Sequence, residues 1–131
     1  MQNSNYIHPE ITDKIIKCFY NVYNDLGFGF LDKVYQNALF LELASTGLFC
    51  ESQKQIKVYY KNSIVGEYYA DIIVNNCIIL ELKAAGSLAE EHEFQLINYL
   101  KAAEIEIGLL LNFGKKPEIR RKKSALSVFH N

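Results

Sequence analysis

Three charged residues stand beside apolar runs, where a charge is costly. Asp71 opens the apolar run of residues 72–74, while Glu81 and Lys83 close the run of residues 78–80. Carboxylates near the middle of a sheet cost several kcal/mol unless they are paired or bound to a metal. Two carboxylates and a lysine at one level of a sheet would suit a divalent cation with an acid/base group beside it. Spacing alone equally allows a structural salt bridge at a sheet end.

The loop between the two runs decides whether these side chains meet. A two-residue turn would direct Asp71 and Glu81 to opposite faces of the sheet. A three-residue loop at residues 75–77 pairs Val74 with Ile78 and sets Asp71 directly opposite Glu81. We predict this second register because it separates charge from apolar bulk more cleanly. It places on one face Asp71, Ile73, Ile79, Glu81 and Lys83.

The surrounding pattern predicts the elements that must position these residues. Apolar residues recur at helical spacing from an N-cap at Thr12 to a stop at Gly27, and from about Leu31 to Gly47. Alternating or continuous apolar residues predict the strands: residues 52–60, 64–74, 77–83 and 105–113, with a third helix over 88–103 and a short edge strand over 119–123. The order α-α-β-β-β-α-β, with a last β, predicts an α/β fold in which helices flank a mixed sheet.

Length and charge limit the classes of protein that fit. A chain of 131 residues with 50% hydrophobic and 22% charged residues predicts a single globular domain. We place its core at about residues 12–119 and a basic C-terminal segment at 115–131. The net charge of −1 argues mildly against strong non-specific binding of nucleic acid, which depends on the release of counterions from phosphates. A local basic patch could still provide that binding.

The cysteines and the apolar runs predict the compartment. Cys18, Cys50 and Cys77 are odd in number and far apart, so they match neither a disulfide framework nor a zinc site. Each lies among apolar residues, which predicts buried thiols in a reducing compartment. The N-terminus is too polar for a signal peptide, and no apolar run approaches the length of a membrane span. We therefore expect a cytoplasmic protein without a membrane partner.

Several motifs carry a resemblance to a known family. Asp71 followed at a distance by Glu81-Leu82-Lys83 resembles the D…ExK core of the PD-(D/E)xK nuclease superfamily. More closely, the chain is similar to the GxxExxY family of small proteins within it, over about residues 12–119. One departure is that Asp32 stands where the family has its name-giving Glu, between Gly29 and Tyr35. The landmarks of the resemblance are residues 27–35, 66–71, 79–83, 92–100 and 108–114, the fourth of which holds the Gln-Leu-x-x-Tyr helix.

The resemblance implies a restriction-endonuclease-like core and hydrolysis of phosphodiester bonds assisted by Mg²⁺ or Mn²⁺. Asp71, Glu81 and the backbone carbonyl of Leu82 would bind the metal, and Asp32 would hold it through a water molecule. Lys83 would orient or help to deprotonate the attacking water and stabilise the developing charge. Gln95, from the third helix, completes the expected catalytic set by positioning water or phosphate.

The expected partner is nucleic acid, with DNA ahead of RNA. The predicted substrate contacts are Tyr35, Tyr99, Lys115, Lys116, Arg120 and Arg121. The last four lie in a basic segment that fits phosphate binding and equally fits the guarding of an edge strand. A non-catalytic binding module that keeps the nuclease fold is the rival function. By analogy of fold, two copies could pair through a tyrosine-rich strand, around Tyr59, Tyr60, Tyr68 and Tyr69.

Overall fold

A five-stranded mixed sheet forms the centre of the molecule, and the computed structural model describes residues 8–124 of the chain. The strands lie in the order β1-β2-β3-β4-β5. Only the β3–β4 pair is parallel among these strands. The predicted order and the mixed α/β architecture are confirmed. The elements are α1 Pro9–Leu26, α2 Asp32–Ser45, β1 Cys50–Tyr60, β2 Ser63–Val74, β3 Ile78–Lys83, α3 Glu90–Ala103, β4 Ile107–Phe113 and β5 Pro117–Lys123.

The register between β2 and β3 is the predicted one. Val74 pairs with Ile78, and the residues of each strand that follow stay in step. Residues 75–77 form the loop, with left-handed backbones at Asn75 and Asn76 (φ 49° and 55°), a conformation that asparagine tolerates better than most residues. The Asn75 side chain also accepts a hydrogen bond of 2.8 Å from the N–H of Phe49. The loop is therefore tied to the start of β1, which fixes the register.

The two faces of the sheet are covered by different helices. Helices α1 and α2 pack on one face, in a core that includes Phe19, Leu39 and Ile72. Helix α3 packs on the other face through Leu96 and Leu100. The apolar runs of β2 and β3 alternate between these two cores, which confirms that this strand pair is covered on both sides.

Helix α1 begins earlier than the sequence analysis placed it. Its first residue is Pro9 and His8 is the N-cap, so the prediction that Thr12 is the N-cap is wrong. Proline suits the first position of a helix because its φ is already helical and its missing N–H needs no partner there. Thr12 instead lies within the first turns, where it is buried and its N–H donates to the His8 carbonyl.

The cysteines and helices give two further results. Cys18 is buried as expected, whereas Cys50 and Cys77 are only partly buried, and all three are free thiols. The two partly exposed residues flank the ends of β1 and β3, where the sheet margin leaves room for solvent. None of the described helices is long and apolar enough to cross a membrane. The N-terminal stretch and the tail after Ser124 lie outside the described residues.

Candidate active site

Asp71 and Glu81 meet where the pairing of β2 with β3 ends. The ladder stops at Ile72 opposite Leu80, and the next position along places Asp71 opposite Glu81. The N–H of Asp71 donates to Glu81 Oε2 over 3.2 Å, and the N–H of Leu82 donates to Asp71 Oδ2 over 2.8 Å. Each carboxylate is thus held by the backbone of the opposite strand.

The alternation of β2 breaks at Asp71. Ile73 faces the core under α3, and Ile72 faces the core under α1 and α2, as alternation requires. Ala70, however, also lies in the core under α3, so the faces do not continue to alternate across Asp71. The Asp71 carboxyl is consequently within reach of groups from β1 and α2 as well as from β3.

A strained glutamine on β1 contacts Asp71. Gln53 has a left-handed backbone (φ 51°) and interrupts the β1–β2 pairing at the position opposite Asp71. Its amide donates to Gln36 Oε1 over 2.9 Å, and Gln53 also lowers the pKa of the Asp71 carboxyl. A left-handed backbone at a residue other than glycine costs about 1–2 kcal/mol and is often found at functional sites.

Sequence reasoning missed both glutamines. Gln36 is buried and lies four residues after Asp32 on α2, so that the two share one face of the helix. That spacing was the available signal for Gln36. Gln53 had none, because its contacts depend on a left-handed backbone that nothing in the local sequence specifies.

The carboxyl pair is electrostatically strained. Burial and the neighbouring Asp71 charge raise the pKa of Glu81 to about 8, against the partial relief of a backbone hydrogen bond and Lys83. Burial also raises the pKa of Asp71, with the Asp32 charge adding to the rise while the Leu82 N–H, Lys83 and Gln53 oppose it. Two partly buried carboxyls side by side resist ionising together, and a nearby cation would relieve that cost.

Lys83 and Asp32 complete the charged surroundings of the pair. The charge of the Lys83 ammonium lowers the pKa of both carboxyls. Asp32 is the exposed first residue of α2 and acts on Asp71 through its charge. Among residues 8–124, no group of three or more His, Cys, Asp or Glu side chains could hold a metal. Asp32 therefore does not form a three-residue cluster of possible metal ligands with Asp71 and Glu81.

A buried asparagine fixes the chain that follows Lys83. Asn112 on β4 pairs with Lys83 in the parallel register. Its side chain accepts a hydrogen bond from the N–H of Ala85 over 2.9 Å and donates to the Ala85 carbonyl over 3.0 Å. It also donates to Glu118 Oε1 on β5. Three hydrogen bonds from one buried amide hold the C-terminal end of β3 in place.

Two tyrosine rings, one from β2 and one from α3, stack on each other near the Asp71–Glu81 pair. Tyr68 and Tyr99 are nearly parallel (16°), with ring centroids 3.5 Å apart. Burial raises the pKa of both hydroxyls, and the Glu81 charge raises each further. The Tyr68 hydroxyl is buried without a hydrogen-bond partner among the described residues. The sequence predicts Tyr68 on a tyrosine-rich surface with Tyr69, whereas Tyr68 packs inward with the cluster that holds Ala70.

Removing the Tyr68 hydroxyl should stabilise the fold. A buried hydroxyl without a partner costs about 1–3 kcal/mol, so Tyr68→Phe should raise the free energy of unfolding by about 1 kcal/mol in a urea titration. The matched control is Tyr35→Phe, because the Tyr35 hydroxyl donates to the Gly27 carbonyl over 2.6 Å and accepts from the Phe30 N–H. That variant should lose about 1–2 kcal/mol. Equal losses in both variants would mean that the Tyr68 hydroxyl has a partner.

Two predicted contacts on the helices lie in different surroundings. Gln95 is exposed on α3, one turn before Tyr99, so the two share a face as predicted. Tyr35 has no exposed surface, and its ring stacks on Phe113 at 4.3 Å. With its hydroxyl bonded to the loop before α2, Tyr35 lies in the core rather than on a surface that a substrate would touch.

The basic segment does not form one continuous patch. Lys115 and Lys116 are exposed in the turn between β4 and β5. Arg120 lies within 3.6 Å of Glu93 and 3.5 Å of Glu118. Arg121 projects from the other face of β5 and donates to the Thr12 hydroxyl over 3.4 Å. Because β5 is an edge strand of the sheet, these charged side chains also fit a role in preventing the edge from pairing with another chain.

The fold and the carboxyl pair together define a class: a mixed-sheet α/β core with a D…ExK site on two neighbouring strands. The profile of the PD-(D/E)XK nuclease superfamily matches residues 9–122. The chain therefore belongs to the PD-(D/E)XK nuclease superfamily.

Solved structures support the assignment of the fold. The crystal structure of SSO0001 superposes with a TM-score of 0.51 at 18% identity, covering 95% of this chain and 69% of that protein. At this identity the likeness concerns the fold alone. A comparison with curated protein sequences finds no match.

Proposed function

We propose that this chain is a metal-dependent nuclease that hydrolyses phosphodiester bonds of DNA, or alternatively of RNA. The observation that carries the proposal is the partly buried Asp71–Glu81 pair, held by reciprocal backbone hydrogen bonds beside Lys83. A pair of carboxyls whose pKa values are both raised is poorly suited to a purely structural role, since it costs stability. Such perturbed groups cluster at functional sites.

The donor atoms at the pair fit Mg²⁺ or Mn²⁺. Both are cations that prefer oxygen ligands and keep several waters, and one or two carboxylates commonly suffice for Mg²⁺. In this proposal Asp71, Glu81 and the Leu82 carbonyl bind the ion, and Asp32 contacts it through water. When bound, the cation would polarise the phosphate and lower the pKa of a bound water.

The chain's own residues would supply orientation and charge. Lys83 would orient the attacking water and stabilise the negative charge that develops on the phosphate. Gln95 would position water or phosphate from α3, and Gln53 would hold the Asp71 carboxyl in place. The proposal also includes membership of the GxxExxY family and a cytoplasmic location. Pairing of two copies through the exposed tyrosines of the β1–β2 hairpin is an alternative use of that surface.

Titration with Mn²⁺ tests the proposal. Calorimetry of the native protein should show binding, and Asp71→Asn should weaken it at least about 100-fold, because losing even a residue behind a metal ligand costs about 10- to 100-fold. Asparagine can still accept the Leu82 N–H, so this variant keeps the local fold; Asp71→Ala removes that hydrogen bond as well. Asp13→Asn, on the exposed face of α1, is the matched control and should bind as the native protein does.

Cleavage assays follow from binding. Single-stranded, duplex and branched DNA, and RNA, should be offered with Mg²⁺ and with Mn²⁺. Native protein that binds no Mn²⁺, or an unchanged heat in Asp71→Asn, would rule out the enzyme.

A non-catalytic binding module is the second candidate function. Asp32 favours it, because its side chain is one methylene shorter than the glutamate of the GxxExxY pattern, and the net charge of −1 gives little general attraction to phosphates. Asp32→Glu separates the two candidates. If cleavage appears or becomes faster in this variant, the rest of the site can hydrolyse the substrate, and the short side chain of Asp32 limits the rate in the native protein.

A further inference from the structure

A groove lies between β1 and α3. Its volume is about 740 Å³, and its walls include Lys57, Tyr59, Asn98, Tyr99, Lys101 and Glu104. Two of these residues are cationic and one is anionic, so the local balance is positive although the whole chain carries −1. The groove lies along β1, which is an edge strand of the described sheet.

Tyr99 joins the groove to the candidate active site. Its ring is part of the groove wall and also stacks on Tyr68. Tyr68 lies on β2, three residues before Asp71. A chain that lay in the groove would therefore pass close to the Asp71–Glu81 pair.

The groove walls have the chemistry of a single-strand binding surface. Grooves of this kind combine cations that contact the backbone phosphates with aromatic rings on which bases stack. Lys57 and Lys101 supply the cations, and Asn98 can hydrogen-bond to base edges or to phosphate. The Tyr59 side chain is 60% exposed, which leaves a ring face open to a base. Bases inside a duplex are stacked on each other and cannot use it.

We propose that this groove holds a single strand of nucleic acid that runs away from the Asp71–Glu81 pair, with a base stacked on Tyr59 and phosphates held by Lys57 and Lys101. This inference rests on the proposed function, because it takes the carboxyl pair as the place of hydrolysis. It adds a substrate class to that function: single-stranded nucleic acid, or a single-stranded part of a branched molecule.

Binding without cleavage tests the groove separately from the chemistry. Fluorescence anisotropy with a labelled oligothymidylate, in buffer with a metal chelator, measures the affinity when no hydrolysis can occur. Tyr59→Ala should weaken binding about tenfold, since stacking of one base on an aromatic ring is worth about 1–3 kcal/mol. Each phosphate contact on a single strand contributes about 0.7 to the slope of log Kd against log salt. The double variant Lys57→Gln/Lys101→Gln removes two contacts and should therefore reduce this slope by about 1.4.

The controls use lysines of the opposite face. Lys14→Gln/Lys17→Gln, both exposed on α1, removes the same charge and should leave affinity and salt dependence as in the native protein. Circular dichroism and light scattering of each variant check the fold and the oligomeric state. All the substituted groove residues are exposed or at a groove wall, so the fold should persist.

The results separate failure of the groove from failure of the enzyme. Single-strand binding that weakens in the groove variants supports the proposal, even if the native protein with Mn²⁺ cleaves nothing, in which case the proposed hydrolysis fails alone. Cleavage that persists while Tyr59→Ala and the lysine variant bind as the native protein does would overturn the groove and leave the enzyme standing. Tighter binding of duplex than of single strand, or a native dimer that Tyr59→Ala converts to monomers, would also overturn it.

Discussion

Lys83→Met is expected to slow cleavage by about 10²- to 10⁴-fold, the usual contribution of a positioned acid/base or charge-stabilising group. The Lys83 ammonium acts on both carboxyls of the pair, and the Asn112 hydrogen bonds hold the chain directly after it. The same substitution removes a cation from beside the metal site. The affinity for Mn²⁺ should therefore be kept or increased while the rate falls.

Single-turnover cleavage at saturating Mn²⁺ measures this difference, on the substrate found in the cleavage assays. Lys83→Arg keeps the positive charge but not the shape or the acid/base behaviour of the ammonium. A cleavage rate close to that of the native protein would indicate that Lys83 stabilises charge, and a rate as low as that of Lys83→Met would indicate proton transfer. Lys14→Met, exposed on α1, is the control for loss of one positive charge. Equal rates in Lys83→Met and in the native protein would remove Lys83 from the catalytic set.

The sequence specified the parts of the fold that depend on local periodicity. Apolar spacing predicted the order of the elements, and the two apolar runs of β2 and β3 predicted a strand pair covered on both faces. The register followed from separating charge from apolar bulk. Because that register was correct, the meeting of Asp71 and Glu81 could be predicted from sequence.

The details that the sequence did not specify depend on long-range contacts. Gln53 reaches Asp71 only because its backbone is left-handed, and Tyr68 turns inward only because alternation breaks at Asp71. Local sequence carries no signal for either event. The start of α1 is a different case, because Pro9 was a better signal for a helix start than Thr12. Tyr35 fits a binding motif in sequence, yet the packing against Phe113 decides its place.

The metal-free protein should lose stability as the pH rises from about 5 to about 8. The folded-state pKa of Glu81 is raised to about 8, mainly by burial, from its ordinary value of 4.5. In that window the folded state keeps a proton that the unfolded chain has released. The free energy of unfolding therefore falls with pH, by at most about 1.4 kcal/mol for each pH unit, and levels off above pH 8. The raised pKa of Asp71 acts in the same direction.

Urea titrations across this pH range, with a chelator present, measure the slope, and Glu81→Gln should flatten it. The glutamine can still accept the Asp71 N–H, and at pH 8 the variant should be the more stable protein by at least about 1.4 kcal/mol, the equivalent of one pKa unit.

Glu67→Gln, an exposed position on β2, should keep the native slope. Saturating Mn²⁺ should reverse the trend, because the ion binds the ionised pair and competes with protons for it. If the free energy of unfolding of Glu81→Gln depends on pH as steeply as that of the native protein, the titrating group is not Glu81. If Mn²⁺ leaves the pH dependence of the native protein unchanged, the carboxyl pair does not bind the metal.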